Sequence, residues 1–252
     1  MRRININKTG RNHVIDSGGN GDVIVLLHGF LSSANYWSKL QPILARVGYR
    51  VVAIDLLGFG NAPKPNESEY DYVDHIKYIE ATLKKLNIVK PFVMVGHSMG
   101  ALLAARYGKV HAGNIRSLIL LHPPLYRDTL QTRLTLRSTG MIYRFLLDSP
   151  YRRLGWTAIK LFRPAVLGRH SHQSREKSLA NIIEAAEMFR DLKAITPSTL
   201  LLVGRKDRKE YMENISKFSV SSSVSIVVEN INHHSPRLQP VLVRDRIVEF
   251  IQ

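Results

Sequence analysis

Ser98 stands between Gly96 and Gly100, with His97 and Met99 filling the places between them. The flanks give this Gly-x-Ser-x-Gly spacing its meaning. Pro91-Phe92-Val93-Met94-Val95 is an apolar run of strand length, and Ala101-Leu102-Leu103-Ala104-Ala105-Arg106-Tyr107 is rich in helix formers. A strand, a sharp turn and a helix would hold Ser98 in a strained backbone conformation at the head of the helix. Residues without bulk two before and two after the serine make room for that turn. The helix would aim its unpaired N–H groups and positive dipole end at the reacting centre. A serine hydroxyl is a weak nucleophile, so chemistry at Ser98 requires a histidine base and a carboxylate to orient it.

The later chain offers both. Asp207 lies just past the apolar run Thr199–Gly204, at the carboxyl end of a predicted strand, where α/β sheets bind ligands. Its neighbours Arg205, Lys206 and Arg208 favour an ionised carboxylate. His233 and His234 follow the last predicted strand, and a loop histidine there could reach Ser98 across the sheet edge. The order of serine, acid and histidine along the chain suits this arrangement. Another apolar run, Val23–Leu27, exits into His28-Gly29-Phe30. That exit would hold the Phe30 backbone N–H beside the nucleophile.

The elements that must position these groups follow from the hydrophobic pattern. Strands are predicted at 12–16, Val23–Leu27, 51–54, 91–95, Ile115–Leu121, Thr199–Gly204 and 224–228. Continuous apolar runs suit strands buried on both faces of a parallel sheet. Helical spacing fills 34–47, where Pro42 interrupts it, and 72–86, where Tyr72, Ile76, Ile79 and Leu83 recur on one side. Further helices are predicted at 209–218 and 241–251. Strands alternating with helices give a doubly wound, mostly parallel α/β sheet. Residues 123–193 carry no buried strand and read as a helical insertion. The sheet domain is thus 1–122 and 194–252, with 123–193 inserted.

The 252 residues fit one large domain or a domain with an insertion, and 44% apolar residues supply a substantial core. With no cysteine, disulfide scaffolds and thiolate chemistry are excluded. The basic start Met1-Arg2-Arg3 precedes no apolar stretch of signal-peptide type, and no run approaches the ~20 apolar residues of a spanning helix. A cytoplasmic protein is expected. The net charge of +16 implies attraction to polyanions, anionic membrane surfaces or acidic substrates. Motifs for specific nucleic-acid readout are absent. The sequence carries no indication of oligomeric state.

Taken together, His28-Gly29-Phe30, the loop Asp55-Leu56-Leu57-Gly58-Phe59-Gly60, Gly96-His97-Ser98-Met99-Gly100, Gly204-Arg205-Lys206-Asp207 and the His233-His234 loop resemble the α/β-hydrolase fold family. The resemblance covers essentially the whole chain. It implies Ser98 as nucleophile, Asp207 as acid and His233 as base, because Asn232-His233 stands where the family usually has Gly-His. It implies an oxyanion hole from the backbone N–H groups of Phe30 and Met99, each such donor worth about 3 kcal/mol. It also implies that 123–193 is a helical lid, and that no metal or organic cofactor is needed. A serine nucleophile argues against the dehalogenases and epoxide hydrolases of this fold, which use aspartate.

The expected reaction is hydrolysis of a carboxylic ester through an acyl-enzyme, as in serine esterases and lipases. Between Arg127 and Lys177, basic side chains far outnumber Asp128, Asp148 and Glu176, and apolar residues are interleaved with them. Such a lid could rest on an anionic membrane and admit a lipid ester such as monoacylglycerol or lysophospholipid. The alternative is a non-catalytic hydrolase-fold protein that binds anionic membrane or polyanion through the same basic lid.

Overall fold

Each long apolar run becomes a strand covered on both faces. The computed structural model describes residues 2–4, 13–138, 151, 154–155 and 169–252. Its strands are β1 (Arg2–Ile4), β2 (Val14–Asp16), β3 (Val23–Leu27), β4 (Arg50–Ile54), β5 (Phe92–His97), β6 (Ile115–Leu121), β7 (Thr199–Gly204) and β8 (Val224–Glu229). They form one sheet in the order β1-β2-β4-β3-β5-β6-β7-β8. The first two pairings are antiparallel and the remaining ones parallel. This is the doubly wound, mostly parallel architecture that the alternation predicts.

Side chains alternate between two cores, as the two-residue period of a strand requires. Val25 and Leu27 of β3 face a layer built from α2 (Tyr72–Lys85), α3 (Met99–Val110) and the helix Met188–Ala194. Ile24 and Leu26 face the 3₁₀ turn Ala34–Trp37, α1 (Leu40–Arg46) and the closing helix Pro240–Ile251. Burial on both faces explains why these strands read as unbroken apolar runs.

The sequence pattern misses β1, whose Arg2-Arg3-Ile4 has no apolar period; it exists by pairing with Val14–Asp16. The predicted helix at 34–47 divides ahead of Pro42. Pro42 sits in the first turn of α1, where a backbone N–H would have no intrahelical partner. The short turn before it starts where Ala34 N–H donates to Asp55 Oδ1 at 2.6 Å, a contact from 21 residues away.

Within 123–193 the regular elements of the described residues are helices: α4 (Thr129–Ser138), then His172–Ser178, the π-helical turn Leu179–Ile183 and Met188–Ala194. Residues 139–150, 152–153 and 156–168 lie outside the described residues, and with them much of the basic and apolar pattern expected of a lid. The segment meets the sheet domain through an isolated bridge between Phe59 and His170 and a bond from Ser174 Oγ to the Gly58 carbonyl at 2.9 Å. Further on, the buried Asp191 accepts from Arg106 Nε at 2.8 Å and Lys109 Nζ at 3.0 Å, tying Met188–Ala194 to α3. Among the described residues no helix is long and apolar enough to cross a membrane.

Candidate active site

The carboxyl ends of β3, β5, β6 and β7 bring the site together. At the end of β5 the backbone of Ser98 has φ 53° and ψ −120°, a conformation that a residue with a side chain adopts only under strain. Neighbouring packing holds it there. A Cβ on Gly96 would stand 2.3 Å from the Gly100 carbonyl oxygen, and one on Gly100 would stand 2.3 Å from that of Leu27. Both glycines are therefore required by close backbone approach. Ser98 caps α3, so the N–H groups of Met99 and Gly100 have no intrahelical acceptor, whereas Ala101 N–H already donates to the Ser98 carbonyl at 2.9 Å. The Ser98 N–H donates to the Leu121 carbonyl at 2.9 Å, fixing the turn to the end of β6.

The His28-Gly29-Phe30 loop lies against this turn. A Cβ on Gly29 would come within 3.1 Å of both Ser98 Cβ and His97 Nδ1, so the loop passes closely beside the serine and a larger residue would have to displace its neighbours by a few tenths of an ångström. His28 is fully buried. Its Nε2 accepts the Leu56 N–H at 3.0 Å, which leaves Nδ1–H to donate to the Gly29 carbonyl at 2.8 Å. The loop after β4 is anchored in turn by the buried Asp55, which accepts the N–H groups of Ala34 and Asn61 at 2.6 and 2.7 Å. Burial raises the Asp55 pKa, and those two bonds oppose the rise. The Phe59 ring meets the His28 and Phe30 rings edge-on.

Burial lowers the His28 pKa to about 4 and that of His75, on α2, to about 3. Both stay neutral in the fold while histidines of the unfolded chain protonate below about pH 6.5. Their contribution to stability is thus complete above that value and is lost as pH falls. For the fully buried His28, the loss by pH 4 is about 3 kcal/mol. Urea midpoints should decline steadily from pH 6.5 to 4. A midpoint that is flat over this interval would contradict the neutral, buried histidines.

Asp207 and His233 meet. His233 Nδ1 donates to Asp207 Oδ2 at 2.9 Å, and the Arg208 N–H donates to Oδ1 at 3.0 Å. Burial pushes the Asp207 pKa up, but hydrogen bonding from His122 and His233 outweighs it and holds the carboxyl well below the usual carboxylate range. His234 does not reach the acid in this way. Its N–H donates to Asn232 Oδ1 at 2.9 Å. Asn232 thus closes the turn with its side chain and is not among the residues of positive φ.

Two histidines that sequence reasoning passed over complete the site. His97 is buried between the turn and His233. Its Nε2 lies 2.7 Å from the His233 carbonyl oxygen, which can only accept, so Nε2 carries the proton. The Tyr36 hydroxyl lies 3.1 Å from the same nitrogen, and the two rings are stacked. Burial, then the neighbouring His233 and His122, keep His97 neutral. The residue before Ser98 thereby holds the backbone of His233. His122, directly after β6, places Nδ1 3.2 Å from Asp207 Oδ2. Its place at the carboxyl end of a strand, the same criterion that singles out Asp207, was the available signal. His122, Asp207 and His233 also offer donor atoms within 4.8 Å of one another, but the His233–Asp207 hydrogen bond already engages two of them.

A family model described as alpha/beta hydrolase fold matches residues 22–208. The chain belongs to the α/β-hydrolase fold family. Among curated relatives, the protein named probable lysophospholipase BODYGUARD 1 of Arabidopsis thaliana is 43% identical over 107 residues, which are 41% of this chain and 23% of that protein. A haloalkane dehalogenase of Mycobacterium marinum is 34% identical over 112 residues, 44% of this α/β hydrolase and 37% of the relative. The match therefore spans about a quarter of the lysophospholipase's length and little more than a third of the dehalogenase's. Among solved structures, an esterase from Exiguobacterium antarcticum superposes with a TM-score of 0.72 at 21% identity, covering 94% of both chains. MenH from S. aureus gives 0.72 at 20% identity, covering 95% of this chain and 97% of its own. These two likenesses concern the fold.

Proposed function

We propose that this α/β hydrolase is a serine hydrolase that cleaves carboxylic esters through Ser98, His233 and Asp207. The observation that carries this reading is the placement of His233. Its Nδ1 is occupied by Asp207, and its backbone is held by the residue that precedes Ser98. Nε2 is thus the nitrogen left to take the Ser98 proton as the serine oxygen attacks the ester carbonyl. The backbone N–H groups of Phe30 and Met99 stabilise the oxyanion, supported by the close pass of Gly29 at Ser98. His233 then protonates the departing alcohol, and water releases the acid from Ser98.

The proposed substrate is a lipid ester, with lysophospholipid and monoacylglycerol as the candidates, and residues 123–193 form the lid over it. The lysophospholipase name of several relatives supports this choice. So does α4, which turns Thr132 and Thr135 inward while Leu130 and Leu134 are 64% and 57% exposed beside Arg133 and Arg137. Apolar and basic side chains alternating on one outer face suit an anionic membrane surface. The same face favours a second reading, a non-catalytic protein bound to such a surface. The two are separated by labelling with a fluorophosphonate probe, followed by hydrolysis of p-nitrophenyl esters of increasing chain length. Labelling at Ser98 with rates that rise with chain length is expected. Folded protein that does not label, yet binds anionic vesicles, would replace the hydrolase reading with the second.

A further inference from the structure

We propose that His122 is a positioning residue for Asp207, held in turn by Ser235, so that the proton-holding chain extends beyond the base and acid. The inference rests on the reading of Ser98, His233 and Asp207 as the reacting set.

His122 lies between the nucleophile's strand and the acid's strand. The carbonyl of Leu121 accepts from Ser98 N–H, and the N–H of His122 donates to the Leu202 carbonyl at 2.9 Å. The side chain is fully buried, with Nδ1 3.2 Å from Asp207 Oδ2 and Nε2 2.7 Å from Ser235 Oγ. The approach of Nδ1 to Oδ2 is a charge contact whose alignment falls short of a hydrogen bond, and Nδ1 has no other partner. Burial lowers the His122 pKa, so the ring is neutral and carries one proton. A proton on Nε2 would leave the Nδ1 lone pair facing a carboxylate. A proton on Nδ1 instead faces Oδ2, and Nε2 accepts from the Ser235 hydroxyl. The second arrangement suits all three groups: the Asp207 carboxylate, which can only accept, selects the tautomer, and the Ser235 hydroxyl donates to Nε2 and so holds the ring in place.

Two further features fix how His122 is held. His122 has φ 49°, a left-handed backbone uncommon for residues with a side chain, among which Asn, Asp and His adopt it most readily. Gly204 is required chiefly by the close approach of the Ile231 carbonyl, and the same lack of a side chain leaves room for His122, whose Cε1 would stand 3.0 Å from a Cβ there. Oδ2 is thus held from two sides, by His233 and by His122, and the carboxylate cannot rotate away from the base without losing both.

The backbone strain supplies a clean test. His122→Gly keeps the left-handed backbone and removes the donor. His122→Asn tolerates the same backbone and returns an N–H donor near the position of Nδ1. Ser235→Ala removes the hydroxyl that holds Nε2, with little change of volume. Loss of the donor that faces the Asp207 carboxylate predicts a fall of about tenfold or more in kcat for His122→Gly, with KM nearly unchanged. His122→Asn should recover most of that loss, and Ser235→Ala should lie between. The far-downfield proton resonance of the His233–Asp207 hydrogen bond should broaden or vanish in the glycine variant and persist in the asparagine variant. Equal impairment of the glycine and asparagine variants would overturn the inference, as would a glycine variant with wild-type kcat and resonance. Wild-type protein that shows the resonance but neither labels nor hydrolyses esters would instead overturn the Ser98 reading.

Discussion

Ser98→Ala is expected to lower ester turnover by about 10⁶-fold and to abolish fluorophosphonate labelling, with the fold intact. Ser98→Gly should lose activity equally but unfold at a higher temperature than the alanine variant. The distinction follows from the backbone. At φ 53° and ψ −120° the strain comes from the Cβ, which alanine keeps and glycine lacks. Such strain is worth about 1–3 kcal/mol, partly offset by the extra freedom glycine gives the unfolded chain. A net gain near 1 kcal/mol corresponds to a rise of about 2–4 °C in Tm for a domain of this size. Calorimetry and ester kinetics on the two variants test separate statements. Residual turnover within tenfold of wild type would remove Ser98 as nucleophile. Equal melting temperatures would remove the strain account while leaving the nucleophile in place.

That strain links stability to the proposed chemistry. The turn persists because its surroundings leave no alternative: Gly96 is pressed on the Gly100 carbonyl and Gly100 on that of Leu27. The serine is presented at a helix start, beside a loop that passes closely at Gly29. Stability is surrendered at one residue and recovered from the packed strands on either side.

How much of this was legible in the sequence follows from the range of the forces involved. β3 through β7 were readable because burial on both faces writes itself as an apolar run. The Ser98 turn was readable because close backbone approach admits only glycine at two fixed spacings. β1 was not, since an edge strand held by pairing to Val14–Asp16 needs no apolar pattern. The 3₁₀ turn at Ala34–Trp37 depends on Asp55, and periodicity carries no record of so distant a contact. The site divides along the same line. Asp207 and the histidine pair stand out by position after strands. The choice of His233 at the acid depends on how the 232–234 turn closes, which Asn232 settles with its side chain. His122 shares the strand-end position that singles out Asp207, whereas His97, inside the strand–turn motif, looks like any other core residue until its partners are known.

Asp207→Asn carries the second large effect, a fall in kcat of about 10⁴-fold at neutral pH, together with lower stability. The carboxylate only accepts: Oδ2 faces two imidazole nitrogens, His233 Nδ1 at 2.9 Å and His122 Nδ1 at 3.2 Å, while Oδ1 takes the Arg208 N–H. An amide cannot serve both sides. With its oxygen toward the imidazoles, its NH₂ opposes the Arg208 N–H, donor against donor. With its NH₂ toward them, His233 must accept at Nδ1 and carry its proton on Nε2, where it can no longer take the proton of Ser98. The wild-type acid is held well below the usual carboxylate range. Its ionised form therefore contributes stability that is complete above about pH 4 and fades as pH falls through the folded value. The stability gap between wild type and Asp207→Asn should accordingly be widest near neutrality and shrink below that pH. Urea midpoints measured across the range, beside ester kinetics at pH 7, decide both halves. A variant that keeps kcat within tenfold would show that Asp207 does not orient the base. A gap that grows on acidification would show that the carboxylate is not held ionised by its two histidines.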